Sequence, residues 1–130
     1  MQIRNHLLPA IHVAFIAAAL MLMSAAVPAA EHGDHDTLKG SEIRALIAGN
    51  TVTGSMSSGQ DYAEFYAEDG TIRGRDYTGE WSIQDDEMCF DYGDGATCYG
   101  VAADGDAVTW VLDGETDGTG VVREGNPMDM

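Results

Sequence analysis

Four acids, Asp113, Glu115, Asp117 and Glu124, stand at positions one, three, five and twelve of a stretch that carries Gly118 at position six. Hard carboxylate oxygens on a sharp glycine turn, followed by a distal Glu, are a donor set suited to Ca²⁺. Glu115 replaces the usual Asp or Asn at position three, and Gly120 replaces the usual aliphatic residue at position eight. The preceding Val108–Leu112 reads as a strand, and Pro127 forbids a long exit helix. The expectation is therefore a calcium-stabilised loop over 113–124 between strands, not a helix–loop–helix hand. A polar hairpin loop is the competing reading.

A second metal chemistry lies further upstream. If the chain is cleaved after Ala29, it begins Ala30-Glu31-His32. A free amine, two amides and the His32 imidazole then form a square-planar donor set for Cu(II) or Ni(II), with Asp34, His35 and Asp36 nearby. The competing reading is a flexible polar tail. Catalysis finds little support. A Ser-His-Asp arrangement would have to use His32 or His35, and neither dinucleotide nor phosphate-loop glycine spacing occurs.

The cleavage itself follows from the first thirty residues. Arg4 is their only charge, Leu7–Ala26 is an apolar run, and small residues close it. Those three parts make a secretory signal peptide over 1–29, with an uncleaved anchor as the alternative. Of the 130 residues, six are basic and 22 acidic, a net charge of −16, and all the acids lie beyond the leader. Such a surface repels nucleic acid and anionic membranes, and it suits a basic protein partner, cations or plain solubility. The expected location is the periplasm or the extracellular medium. Cys89 and Cys98, an even pair in an oxidising compartment, read as one disulfide.

The elements that hold these groups change period once. Residues 30–40 read as a flexible acidic and His-bearing lead-in. Over 41–48 a short helix is expected, with Ser41 as N-cap, Ile43, Leu46 and Ile47 on one face, and Gly49 in the left-handed closing position. From Thr51 short β-prone runs alternate with Gly/Asp turns, giving strands near 51–56, 61–67, 71–77, 79–84, 87–92, 96–102, 107–112 and 119–124. Asp69-Gly70 and Asp104-Gly105 mark hairpins. The fold class is mainly β: an antiparallel meander of about eight short strands forming a small barrel or sandwich, in one domain over 41–124, with one short N-terminal helix and a frayed tail over 125–130.

The cysteines sharpen the register. A two-residue turn at Gly93-Asp94 puts Tyr92 opposite Gly95 and, counting back, Cys89 opposite Cys98, at a spacing that accepts a disulfide. Alternation then places Met88, Phe90, Thr97, Tyr99 and Val101 on the core face, and the cysteines with Glu87 and Asp91 on the outer, wetter face. Phe65, Trp81, Ile83, Val108, Trp110 and Leu112 join the expected core.

Two resemblances add to this. Ile43 through Gly49-Asn50-Thr51 and Gly54, Tyr66, Asp69-Gly70-Thr71, Gly79-Glu80-Trp81-Ser82-Ile83 and the cysteine pair together resemble exported bacterial small β domains of unknown function. That resemblance implies export and a small β fold, and no activity. Ser58-Gly59-Gln60-Asp61-Tyr62 is similar to the Ser-Gly-x-x-Tyr loop of periplasmic C-type lysozyme inhibitors. Those are small disulfide-bearing β barrels, and the resemblance implies that Ser58, Gly59 and Tyr62 enter the cleft of a basic enzyme. The reading that results is an exported binding or structural domain without catalysis, its ligand open. The lysozyme-inhibitor-like protein and the calcium-stabilised module are its alternatives.

Overall fold

The computed structural model describes residues 35–130. The leader over 1–29 and His32 lie outside the described residues. After one short helix, α1 (Gly40–Ile47), come eight strands: β1 (Asn50–Met56), β2 (Asp61–Tyr66), β3 (Thr71–Arg73), β4 (Thr78–Gln84), β5 (Glu87–Asp91), β6 (Ala96–Asp104), β7 (Ala107–Leu112) and β8 (Glu115–Arg123). Each pairs antiparallel with the next, and β1 pairs with β8, so the sheet closes into a barrel. Closure leaves no long unpaired edge.

Positive-φ residues make the tight connections that this order needs. Asp85-Asp86 joins β4 to β5 and Asp113-Gly114 joins β7 to β8, all four residues in the left-handed region. Asp tolerates that conformation better than most side chains do. Asp69 and Gly70 form the expected turn, with the Thr71 amide donating to Asp69 Oδ1. Between β6 and β7 the two turning residues are Gly105-Asp106, one place later than expected, because Asp104 still pairs with Ala107.

Helix α1 plugs one end of the barrel. Ile43 and Ile47 are fully buried and meet Val52, Ile72, Met88, Val101, Val108 and Val122 in one cluster. The helix starts one residue earlier than expected, and Ser41 is not its cap. Glu42 Oε2 accepts the Lys39 amide at 2.7 Å, and Asp86 Oδ1 accepts the Gly40 amide at 2.7 Å. Two acids thus satisfy donors that the first turn leaves free. Gly49 closes the helix at φ +76°, as expected, and its amide donates to the Tyr66 carbonyl.

Cys89 and Cys98 are direct cross-strand partners and are joined. The register is the expected one, but the turn is not: Tyr92–Gly95 form a four-residue loop rather than a two-residue turn. Asp91 Oδ1 holds that loop by accepting the Gly93 and Gly95 amides. The bridge lies on the face opposite Met88 and Phe90, yet it is not wet. Cys89 is 1% exposed and Cys98 half-buried. Cys89 sits on an interior strand, with Ser82 on one side and Cys98 on the other, and a short side chain between two paired rows is shielded by both.

Three further expectations are corrected. Strand 71–77 shortens to Thr71–Arg73, since the Gly74 amide donates to the Tyr77 carbonyl and turns the chain. The lead-in is docked where it is described: Thr37 bridges Ala102 and the Leu38 amide donates to the Val101 carbonyl. Ladder pairs show the reason. β6 outruns β5 beyond Tyr99, and the lead-in covers the edge left open there. The tail is also anchored, with Gly125 held by Asn50 Oδ1 and Thr51 Oγ1, and the Asn126 side chain holding Met130.

Candidate functional site

The end of the barrel opposite α1 is open. Inward positions of β2 read Tyr62, Glu64, Tyr66, because alternate residues share a face. Phe65, expected in the core, therefore points out and lies half-buried beneath the Arg73 guanidinium, 6.0 Å from its ring centroid. Large rings fit inside because glycines face them. Gly118 pairs with Trp110, and a Cβ there would meet the Trp110 ring at 2.9 Å and Met56 Sδ at 2.7 Å. A Cβ on Gly120 would meet Val52 at 2.7 Å and the Tyr62 hydroxyl. Small residues opposite large ones are how a narrow barrel fills.

All five tyrosines of the chain line one cavity of about 370 Å³ at this mouth. Phe90 and Trp110 add their rings, and Met56, Gln60 and Thr78 stand around the rim. Phe90 meets Trp110 edge-to-face at 5.4 Å and Tyr99 at 5.6 Å between centroids, which suits the ring quadrupoles. Tyr77 and Tyr92 come from the irregular segments beside β3 and β5, and they are 44% and 49% exposed. Each leans on a glycine, Tyr77 on Gly74 and Tyr92 on Gly79.

No protein-family model, curated protein or solved structure matches this chain. The mouth must therefore be read from its own chemistry.

Glu64 is the floor, only 5% exposed. Its Oε1 accepts the hydroxyls of Tyr77 and Tyr92, each at 2.8 Å, and its Oε2 accepts that of Tyr66 at 2.5 Å. A carboxylate has about four acceptor positions, so roughly one stays free. The charge it brings is matched by phenols alone. Among the described residues the ion pair present is Lys39–Asp86, at the outer start of α1. Burial, then the Glu64 charge, pushes the Tyr66, Tyr77 and Tyr92 phenols above the usual phenol value. They stay neutral donors at all ordinary pH. Beside them Tyr62 accepts the Trp110 Nε1–H at 2.7 Å and donates to the Thr119 carbonyl. Burial lifts its phenol to about 12, against the opposing Trp110 bond. Tyr99 is raised as well, by burial and then by the Asp117 carboxylate.

The residues singled out for chemistry are dispersed. Asp113 is in a two-residue turn, Glu115 and Asp117 lie on β8, and Glu124 follows that strand at the opposite end of the barrel. A strand rises about 3.3 Å per residue, so Glu115 and Glu124 are roughly 30 Å apart along it. The expected 113–124 loop is thus a strand, and its acids do not converge on an ion. Asp117 instead accepts the Ser57 hydroxyl. No group of three or more His, Cys, Asp or Glu among the described residues is placed to hold a metal. His35 Nε2 is 3.1 Å from Thr116 Oγ1, engaged with the barrel rather than free for a tail site. Ser58 and Gly59 form an exposed tip between β1 and β2, but Tyr62 turns inward, away from them.

Glu64 and the tyrosine ring were missed as a site. The run Asp61–Tyr66 has apolar residues on both faces, and its one central charge argues for Glu64 outside. The available signal was the alternation Tyr62-x-Glu64-x-Tyr66 set against the glycines at 54, 118 and 120.

Proposed function

We propose that this chain is an exported, non-catalytic binding domain that takes a small ligand in the aromatic mouth of its barrel. The observation that carries the reading is the convergence of every tyrosine on one cavity whose size, about 370 Å³, falls in the range of small-molecule sites. Aromatic walls with a few placed polar groups are the usual make-up of such sites. Export is supported by the charged start, apolar run and small-residue junction of residues 1–29, together with a disulfide of the kind that persists in oxidising compartments. Against catalysis, Glu64 already holds three phenol donors, and His35 sits on exposed Thr116, away from the mouth lining.

A fragment screen by ligand-observed NMR tests the site. Thr78→Trp fills the rim from an exposed position. We expect fragments that bind the wild type and are lost in the variant while its circular dichroism is unchanged. Binding that ignores the rim substitution, or no binding, refutes the reading.

The lysozyme-inhibitor-like reading is second, favoured by the exposure of Ser58 and Gly59 at a hairpin tip. Slowed lysozyme turnover that Ser58→Ala restores supports it. An enzyme unaffected by the wild-type protein removes it.

A further inference from the structure

We propose that the ligand of the barrel mouth is a small organic cation, a quaternary or protonated ammonium group seated over Glu64. This rests on the mouth being the binding site and specifies its chemistry. Glu64 is buried, and among the described residues the cavity lining contains no Lys, Arg or His to pair with it. A buried charge is costly unless it is paired. Three phenols reduce that cost by hydrogen bonding, but each remains neutral, and a net negative charge stays on the floor of the cavity. Aromatic side chains make up most of the rest of the lining. Tyr66, Phe90 and Trp110 are buried, whereas Tyr77 and Tyr92 stand half-exposed at the rim with centroids 6.0 Å apart. A cation is drawn to the face of an aromatic ring by the ring quadrupole, and more strongly where water is excluded. A neutral ligand gains the same apolar contact without that term, and an anion meets both Glu64 and the charge of the whole chain, −16.

The fit is also steric. An ammonium of several carbons needs an aromatic cage with one carboxylate, not a full shell of oxygens as a bare metal ion does. Tyr77 and Tyr92 are the rings best placed to move aside and close again. Both lie outside the ladder beside glycines at 74, 93 and 95, two of which have positive φ.

The experiment uses four cations, tetramethylammonium, choline, benzyltrimethylammonium and benzylamine. The control is the neutral isostere of choline, in which tert-butyl replaces trimethylammonium. Trp110 fluorescence and calorimetry read binding to the chain from residue 30 onward with its disulfide intact. At least one cation should bind about tenfold more tightly than the neutral isostere. Glu64→Gln should erase that preference, and Tyr99→Leu, which removes a cavity ring that makes no bond to Glu64, should weaken the cation more than the isostere. If none of the four cations binds more tightly than the isostere, the cation assignment is overturned and the cavity reading is left standing. If the fragment screen finds no mouth ligand at all, the underlying site fails with it.

Discussion

Raising the pH is the perturbation that tests the tyrosine mouth most directly. All five phenols are shifted upward from 10.0 by burial, four of them with the Glu64 charge acting in the same direction. The unfolded chain releases these protons near pH 10 and the folded chain holds them. Above that pH the unfolded state therefore binds fewer protons, and stability falls as pH rises. Below it the stabilisation is fully present. One pH unit past the ordinary phenol value costs about 1.4 kcal/mol for each protected group. Tyr66 is fully buried and carries that amount, whereas Tyr62, Tyr77 and Tyr92 are partly wet, and screening reduces each of them to roughly half. Together they remove about 3–4 kcal/mol by pH 11, a large share of a typical domain stability of about 5–15 kcal/mol. Phenolate absorbance and far-ultraviolet circular dichroism, followed in one alkaline titration, should change together in a single cooperative step above pH 10. Phenolates that appear with an ordinary midpoint near 10 while the β signal persists would refute the buried, carboxylate-linked arrangement.

Cys89→Ala with Cys98→Ala opens a loop of sequence separation 9 and should cost about 2.7 kcal/mol on the loop-entropy account, lowering Tm by about 10–20 °C for a domain of this size. Thermal melts of the oxidised and double-variant proteins check it. Gly120→Val puts branches against Val52 and Tyr62 and should destabilise by about 1–3 kcal/mol, whereas Gly114→Asn, at an exposed turn with φ +81°, should cost well under half of that; urea midpoints compare the two. Thr37→Pro keeps the lead-in but disturbs its bridge to Ala102, and hydrogen exchange should quicken at β6 beyond Tyr99 and not at β2. Uniform exchange in both strands would mean that the lead-in does not protect that edge.

Much of the scaffold could be read from residue order because its rules are local. Asp69-Gly70 marked its turn and Asp104-Gly105 fell one residue from its own, alternation separated Met88 and Phe90 from Cys89, and the cysteine spacing set the β5–β6 register even though the loop proved longer. The helix face Ile43, Leu46, Ile47 was equally visible. What escaped depended on neighbours distant in the chain. Glu64 looks like a solvent-facing charge until Tyr77 and Tyr92, from two other segments, are brought to its oxygens. Phe65 looks like core until the ladder gives its inward positions to Tyr62 and Tyr66. The spacing of Asp113, Glu115, Asp117 and Glu124 fits a loop numerically, but it assumes a loop, and a strand spreads the same acids along its length. The lead-in and the tail read as loose because their docking partners, Ala102 and Asn50, are far away in sequence.

The pairing of β1 with β8 joins Thr51 to Arg123. Every other ladder in the barrel links strands that follow one another directly. Successive hairpins can form as soon as their own residues are available, but this last seam spans nearly the whole domain, and closing so long a loop adds an entropic barrier that local pairings do not face. A chain delivered progressively from its N-terminus therefore stays an open, curling ribbon until the final strand arrives, and the mouth, whose Met56 and Gly118 meet across that seam, comes into being only at the moment of closure.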